Sequence, residues 1–227
     1  MTIADFPADW SNALVLVAHP DDPEYGMAAA VAKWTAEGKK VTYALATSGE
    51  VGIEGMAAAE AGPLREDEQR RSAAVVGVDD VEFWDFPDSE VFNTPELRAK
   101  ITEVIARVNP DMILTLYGGA AFAPDRPNQR DHIEFAAAVV QAFDDLADPP
   151  AWLFSNGPEI THAVDVDGYT EKAVASLAEH KVYLEVLDPE TPVIDQARAQ
   201  VEWSTAPKEG FPAEHTSGFI LLRPTAG

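Results

Sequence analysis

Apolar runs alternate with amphipathic segments along the chain, in the order expected for repeated strand–helix units. Strands are predicted over residues 14–18, 41–47, 81–84, 112–117, 152–154, 160–166 and 219–222. Helices are predicted from Asp22 to before Gly38, over 65–76, from Thr94 to before Asn109, over 131–146 and over 170–179. Because strands that alternate with helices favour a mostly parallel sheet flanked by helices, we predict an α/β fold.

Cap and turn residues set the ends of these elements. Asp22 is expected to cap the first helix, with Pro23 at its first position and Gly38 just past its end. Long loops are predicted over residues 48–64 and 118–130, and long loops after strands are often functional. No internal repeat or clean linker interrupts the pattern. We therefore predict one domain over residues 1–227, with a variable C-terminal part from about residue 150 that packs on the core.

Charge and composition exclude several function classes. The 227 residues include 39 acidic and 16 basic side chains, a net charge of -23, and a field of this sign repels phosphate backbones and anionic membranes. Neither a nucleic-acid partner nor a membrane is expected. The absence of cysteine excludes disulfides, thiolate ligands and a cysteine nucleophile. The N-terminus has no secretory pattern and no apolar run approaches the ~20 residues of a membrane helix, so a cytoplasmic location is predicted.

Candidate chemistry first occurs where the first long apolar strand ends. The run over residues 13–18 stops at His19-Pro20-Asp21-Asp22-Pro23, and in open α/β sheets ligands bind outside the carboxyl ends of the strands. An imidazole and two carboxylates are costly to bury together unless a metal or hydrogen bonds compensate them. The segment predicts a metal site in which His19 and Asp22 face one ion and Asp21 faces the open coordination position. The alternative is a hydrogen-bonded core histidine beside helix-capping aspartates.

A third ligand has to come from elsewhere, because catalytic zinc sites use three nitrogen or oxygen protein ligands and keep a position for water. His132 is the leading candidate, since it follows a long loop after an apolar strand, and in a parallel sheet that loop lies at the same edge as His19. The neighbouring Asp131 is expected to cap the helix or to orient a ligand. The alternative for His132 is an exposed histidine in a first helical turn.

The sheet pattern does not predict a nucleotide site. Gly49-Glu50-Val51-Gly52-Ile53 contains glycines, but no G-x-G-x-x-G follows the first strand, where a dinucleotide fold places it. Two aspartates in that first turn would also repel a pyrophosphate. The expected architecture is a Rossmann-like sheet with a metal site, and no dinucleotide, at the C-terminal edge of its strands.

The motif at the first strand end occurs together with several others. Ala18-His19-Pro20-Asp21-Asp22 is followed by Glu24 and Gly26, and further motifs are Thr47-Ser48-Gly49-Glu50, Leu64-Arg65-Glu66 with Glu68, Phe86-Pro87-Asp88 and Asp131-His132. This combination resembles the LmbE-like (PIG-L) zinc-dependent deacetylases, which remove an acyl group from an amino sugar or a related amide. A weaker likeness covers Lys172 to His180. The resemblance spans roughly the first two thirds of the chain.

The resemblance implies a role for each matching residue. It makes His19, Asp22 and His132 the ligands of Zn²⁺, although other divalent metals suit the same donors. Asp21 matches the general base, which takes a proton from the zinc-bound water and can pass it to the leaving amine. Arg65 matches a substrate-contacting arginine, and Asp88 matches a polar contact near the sugar.

One position departs from the family pattern. Many members have a histidine three residues before the last zinc ligand, where it stabilises the oxyanion or protonates the leaving group, but this chain has Gln129 there. A glutamine can donate a hydrogen bond to an oxyanion but cannot act as an acid near neutral pH. Of the other histidines, His162, His180 and His215, the family-like setting favours His180 as the missing donor. Gln129 and His180 therefore join Asp21 as predicted catalytic residues.

The resulting prediction is a zinc-dependent hydrolase that removes an acyl group, expected to be acetyl, from the nitrogen of an amino sugar or a related small-molecule amide. Two alternatives stay open. One is an amidase for a bulkier conjugate; the other is a metal-binding relative without turnover, favoured by Gln129 and opposed by the retained Asp21. The loop tip over residues 120–124 predicts an apolar wall, which favours a thiol-conjugate or lipid-linked amide over a free sugar. The resemblance suggests a homo-oligomer, although the net charge disfavours self-association.

Overall fold

A mixed sheet of eight strands runs through the computed structural model, which describes residues 2–224. Its strands are β1 Ala4–Asp5, β2 Asn12–Val17, β3 Lys40–Leu45, β4 Asp80–Phe83, β5 Met112–Thr115, β8 Trp152–Ser155, β9 His162–Asp165 and β10 Thr216–Pro224; β6 Ala121–Ala123 and β7 Arg126–Pro127 form a separate hairpin. The helices are α1 Ala28–Ala36, α2 Ala58–Val75, α3 Pro95–Val108, α4 Arg130–Asp144, α5 Thr170–Leu177, α6 Lys181–Leu187 and α7 Val193–Ser204.

The strand order across the large sheet is β1-β9-β10-β8-β5-β2-β3-β4. Neighbouring strands are parallel except at β10, which is antiparallel to both β8 and β9. The predicted α/β fold with a mostly parallel sheet flanked by helices is thus confirmed.

The central strands form the core because both of their faces are covered, as parallel sheets require. Consecutive residues of β2, such as Leu14, Val15 and Leu16, are fully buried although their side chains point to opposite faces. Helix α4 contacts β2 and buries Phe135, Val139 and Phe143 on one stripe. This packing fixes the first turn of α4, where His132 lies, relative to the end of β2.

Strands β2, β3, β4 and β5 run in the same direction, so the segments after them meet at one edge of the sheet. These segments cover residues 18–27, 46–57, 84–94 and 116–129. They contain His19, Asp21, Asp22, Asp88 and Gln129, as the sequence predicts for a site at the carboxyl ends of the strands.

The prediction that Asp22 caps a helix with Pro23 at its first position was wrong, because α1 begins at Ala28 and residues 20–27 form turns. The Asp22 carboxylate accepts hydrogen bonds from backbone N–H groups on its N-terminal side, so it is not available to cap a helix. The predicted helix end is confirmed. Gly38, with φ of 85°, follows α1 in the left-handed conformation that glycine adopts without steric penalty.

The prediction of a loop over residues 48–64 was partly wrong, because α2 begins at Ala58 and contains Pro63. Its buried face includes polar side chains, Arg65, Glu68 and Gln69. A hydrophobic pattern cannot indicate a helix whose buried face is polar, and the tertiary contacts of those side chains stabilise α2 despite the proline.

Five further elements have no counterpart in the sequence prediction: β1, the strands β6 and β7 of the hairpin, α6 and α7. The hairpin lies inside the predicted loop over residues 118–130. In α7 only Ala197 and Val201 are buried. Within residues 2–224, no helix combines the length and apolar character needed to cross a membrane.

Candidate metal centre

The turn after β2 is shaped by two adjacent aspartates. Oδ2 of Asp22 accepts hydrogen bonds from the backbone N–H groups of Ala18, at 3.1 Å, and His19, at 2.7 Å. Asp21 has φ of 90°, a conformation that costs a non-glycine residue about 1–3 kcal/mol. Its backbone N–H donates to Oε1 of Gln69 at 2.7 Å. Surrounding hydrogen bonds therefore hold a strained turn in which the two carboxylates have different environments.

Three donor atoms converge beside this turn. Nδ1 of His19 lies 3.2 Å from Nε2 of His132. The same Nε2 of His132 lies 3.0 Å from Oδ1 of Asp22. Oδ2 of Asp22 is 3.7 Å from Nδ1 of His19. Ligands at zinc bond lengths of 2.0–2.2 Å in a tetrahedron are about 3.4 Å apart. The predicted ligands are thus brought together with a spacing that fits a divalent metal ion.

The second ring nitrogen of His19 faces two more carboxylates. Nε2 lies 3.3 Å from Oδ1 of Asp88 and 3.4 Å from Oδ2 of Asp131. Metal-bound imidazoles are oriented by a hydrogen bond from the other ring nitrogen, and both aspartates suit this function. Asp88 is itself fixed, because its Oδ2 accepts from the backbone N–H of Val51 at 3.0 Å. His19, Asp88 and Asp131 also form a metal-capable group, but it shares His19 with the triad, so we interpret it as the support of the triad.

Electrostatics at this centre favour a cation. Burial lowers the pKa of His19, but hydrogen bonds to Asp131 and Asp88 and a nearby carboxylate outweigh burial and raise it to about 10. Burial raises the pKa of Asp22, but the charge and hydrogen bond of His132 outweigh it and bring the value to about 2. For Asp21 burial prevails and raises the pKa to about 6. The carboxylates around His19 therefore stabilise positive charge at the place where the donor atoms converge.

A cavity of about 660 Å³ opens on two residues of the triad, Asp22 and His132. Its wall includes Asp21, Asp22, Gln129 and His132 at the metal centre; other lining residues are largely apolar or aromatic and include Tyr25, Phe122, Tyr183, Leu187 and Trp203. Phe122 belongs to the loop tip that was predicted to form an apolar wall. Cavities of about 300–1,000 Å³ typically enclose small organic ligands, so this one has room for more than a single small group at the metal.

Residues 14–143 match the family described as GlcNAc-PI de-N-acetylase (PIG-L), and this range is more than half of the chain. The chain belongs to the PIG-L family. The resemblance inferred from the sequence motifs is confirmed, and all three residues of the triad lie inside the matched range. Tyr183, Leu187 and Trp203 of the cavity wall lie beyond it.

Known relatives of this PIG-L protein include a probable N-acetyl-alpha-D-glucosaminyl L-malate deacetylase 2 of Bacillus anthracis, 29% identical over 141 residues. The alignment covers 57% of this chain and 60% of the relative, so the chain spans about 60% of that relative's length. The structure of N,N'-diacetylchitobiose deacetylase from Pyrococcus horikoshii superposes with a TM-score of 0.78 at 18% identity, over 94% of this chain and 84% of that one.

A 4-carboxy-2-hydroxymuconate hydratase from Pseudomonas putida KT2440 has a TM-score of 0.70 at 16% identity, over 96% of the PIG-L chain and 98% of the hydratase. At these identities the solved structures establish the shared fold alone. Because the fold also occurs in a hydratase, the chemistry has to be argued from the site.

Arg65 of the PIG-L chain, predicted to contact substrate, is buried beside the metal-binding turn and is not part of the cavity wall. It donates to the backbone carbonyls of Pro20, at 2.7 Å, and Gly49, at 3.1 Å, and its Nη2 lies 3.6 Å from Oδ1 of Asp21. The guanidinium also lies over the ring of Tyr183, 4.2 Å from its centroid. Arg65 thus holds the turn and presents a positive charge to Asp21. Its contact with substrate stays a prediction, as does that of Asp88.

Gln129 is exposed at the N-cap of α4 and lines the cavity, and its side chain makes no capping hydrogen bond. Its neighbour Asn128 was not predicted. Oδ1 of Asn128 lies 3.1 Å from Nδ1 of His132, and its Nδ2 donates to the carbonyls of Tyr117 and Gly119. With Nδ1–H donating to Asn128, the lone pair on Nε2 is free for a metal. Only its place four residues before His132 could have pointed to Asn128.

A buried polar network continues from Asp21 to His180. Gln69 accepts from the Asp21 backbone N–H and donates through Nε2 to Glu24 at 3.1 Å. Oε2 of Glu24 lies 3.4 Å from Nε2 of His180. Glu24, Gln69 and His180 are each at most 1% exposed, and none lines the cavity. Of the predicted catalytic residues in this PIG-L chain, Asp21 and Gln129 therefore face the cavity and His180 does not.

Proposed function

We propose that this protein is a zinc-dependent hydrolase that removes the acetyl group from the nitrogen of an amino sugar or a related small-molecule amide. One observation carries the proposal: Asp21, a carboxylate outside the triad, lines the cavity next to His19, Asp22 and His132. The sequence comparison supports it, because the Bacillus anthracis relative is named as a probable deacetylase of an N-acetylated amino sugar.

His19, Asp22 and His132 would hold the zinc ion, which when bound polarises an amide carbonyl and lowers the pKa of water. Two imidazole nitrogens and one carboxylate oxygen favour Zn²⁺ over Mg²⁺ or Ca²⁺, because those harder ions prefer oxygen ligands. Asp131 and Asp88 keep the His19 ring in the orientation that this ligand set needs.

Asp21 takes a proton from the attacking water while the water oxygen bonds to the amide carbonyl carbon. The C–N bond then breaks and Asp21 passes that proton to the departing nitrogen, so the products are acetic acid and the free amine. Gln129 donates an amide N–H to the developing oxyanion from its place on the cavity wall. Arg65, 3.6 Å from Asp21, keeps the carboxylate in place.

His180 has a positioning function in this scheme. Because it is buried away from the cavity, it acts on Asp21 through Glu24 and Gln69, and not as a proton donor to substrate. The cytoplasmic location and the homo-oligomer expected from the sequence stay predictions.

The Asp21→Asn variant tests the proposed base. Asparagine tolerates a positive φ, so the turn is retained while the carboxylate is lost. With zinc-loaded enzyme, we expect kcat for amine release from N-acetylglucosamine glycosides to fall by roughly 10²–10⁴-fold, with zinc content unchanged. Asp125→Asn, which alters an exposed aspartate between β6 and β7, is the matched control and should keep the wild-type rate.

Two outcomes would contradict the scheme at different levels. Full activity of Asp21→Asn would remove the base assignment but leave the hydrolase intact. A zinc-loaded wild-type enzyme that releases no amine from any N-acetylated amino sugar would refute the proposed function itself.

A further inference from the structure

Two basic side chains that have no hydrogen bond or ion pair within residues 2–224 line the same cavity as Asp22 and His132. The chain has nine arginines, and eight of them donate side-chain hydrogen bonds. Arg126 is the ninth. Among the seven lysines, Lys172 and Lys208 likewise make no hydrogen bond or ion pair within residues 2–224, and Lys208 lines the cavity with Arg126.

Arg126 is held in place by stacking, which leaves its donors unused. Its guanidinium carbon lies 4.2 Å from the ring centroid of Trp203, which also lines the cavity. The other strand of the hairpin that carries Arg126 also packs on the protein, because the ring of Phe122 contacts that of Tyr117 with the centroids 5.1 Å apart. A stacked guanidinium is pre-organised, and its N–H fork matches a carboxylate or a phosphate.

The charge distribution of the cavity allows Arg126 and Lys208 to select an anionic ligand group. The only carboxylates in the described part of its wall are Asp21 and Asp22, both at the metal centre. Elsewhere the wall carries Arg126 and Lys208, although the chain as a whole has a net charge of -23. Such a molecule repels anionic ligands in general, so a local cationic pair is needed to admit an anionic group.

We propose that the substrate carries an anionic group, a carboxylate or a phosphate, away from its reacting amide, and that Arg126 and Lys208 recognise that group. The substrate class is therefore an N-acetylated amino sugar joined to an acidic aglycone. The inference rests on the proposed function for placing the amide at the triad. The thiol-conjugate or lipid-linked amide favoured by the sequence accounts for Phe122, but it does not explain two cations that have no hydrogen bond or ion pair within residues 2–224.

Three phenyl glycosides of N-acetylglucosamine test this, with a carboxylate, a phosphate or the methyl ester of the carboxylate at the para position. Calorimetry on the zinc-loaded Asp21→Asn variant measures Kd without hydrolysis, and amine release by wild type measures kcat/KM. We expect at least one anionic glycoside to bind about tenfold more tightly than the ester, a preference that salt weakens. Whichever of the carboxylate and the phosphate glycoside binds more tightly identifies the anionic group that the cavity recognises.

Variants of the basic residues then assign the preference. Arg126→Gln should reduce the ratio of the Kd of the ester to that of the anionic glycoside to about twofold or less, and Lys208→Gln should reduce this ratio in part. Lys172→Gln removes an unpaired, exposed lysine outside the cavity wall and should leave it intact, which separates a local site from a general charge effect. Arg126→Lys should retain only part of the preference, because lysine lacks the planar fork.

Equal Kd values for the ester and both anionic glycosides would overturn the inference. An equal loss of the anion preference in Arg126→Gln and Lys172→Gln would also overturn it, as would a failure of all three glycosides to bind. These outcomes are independent of catalysis. An anion preference in Kd without any amine release would refute the proposed hydrolase and leave the anion site standing.

Discussion

At the scale of single residues, Asp21 and Asp22 differ because of their surroundings and not because of their chemistry. Asp22 accepts two backbone N–H bonds and lies next to His132, and its pKa is brought to about 2, so it stays an anion. Burial raises the pKa of Asp21 to about 6. Neighbouring carboxyls whose environments separate their pKa values are typical of sites where one binds charge and the other moves protons.

Removing one donor tests the triad directly. His132→Ala leaves two of three protein ligands, and we expect the purified variant to lose stoichiometric zinc, because catalytic zinc sites depend on three. Metal analysis after gel filtration measures the zinc-to-protein ratio. His162→Ala, which removes a partly exposed histidine on β9, is the control and should retain zinc. Unchanged zinc in His132→Ala would show that the ligand set is wrong.

Residues that are adjacent in sequence, or joined by a simple topological rule, could be predicted. His19, Asp21 and Asp22 share one turn, and His132 follows from the rule that parallel strands end at one edge. Gln69 could not be predicted, because it acts through hydrogen bonds that exist only once α2 is packed, and the single signal for Asn128 was its place four residues before His132. A lone amide residue such as Gln69 has no periodicity that distinguishes it.

At the scale of elements, α2 is a helix that packs through polar contacts. Gln69 joins Asp21 to Glu24, Glu68 accepts from the backbone N–H of Val182 at 2.7 Å, and Ser72 donates to the carbonyl of Ser176 at 2.7 Å. These contacts connect the metal-binding turn to α5 and α6. Buried polar contacts of this kind also explain why sequence patterns placed the start of α2 seven residues late.

Gln69→Leu tests this connection. The variant keeps a side chain of similar size but leaves the Asp21 N–H and the Glu24 carboxylate without their partner, which should lower the free energy of unfolding by about 2–4 kcal/mol. Urea unfolding followed by circular dichroism measures it, and kcat should fall because Asp21 loses its anchor. Gln141→Leu, at an exposed position of α4, should change stability by less than about 0.5 kcal/mol. Equal stability of the two variants would show that the network does not hold the turn.

At the scale of the whole molecule, the excess of acidic over basic residues sets the response to salt. A net charge of -23 produces self-repulsion that opposes the compact state. Raising NaCl from about 0.01 M to about 0.15 M shortens the screening length from roughly 30 Å to roughly 8 Å.

We therefore expect Tm to rise by a few degrees over this range in thermal unfolding followed by circular dichroism. Glycerol at the same osmolality is the control and should have little effect at such low concentration. A Tm that stays constant or falls with NaCl would mean that the acidic side chains are already compensated within the fold.

The fold class was predictable because the order of strands and helices along the chain stays the same when the predicted ends of single elements are wrong. Errors in helix start, such as the one at Asp22, moved boundaries without changing the order of the elements. The antiparallel insertion of β10 could not be predicted, since strand order depends on packing between segments far apart in the chain.

The place of β10 has a consequence for synthesis on the ribosome. The parallel strands β2, β3, β4, β5 and β8 and all three triad residues have been translated by Ser155, so the metal-binding half can pair while the chain is still growing. Strands β1 and β9 join the sheet through β10, which is translated about sixty residues later. During that interval β8 has an open edge, the kind of surface that recruits other unfinished chains. Emergence of residues 216–224 closes that edge, so we expect the nascent protein to bring its candidate metal ligands together before the edge of β8 is covered.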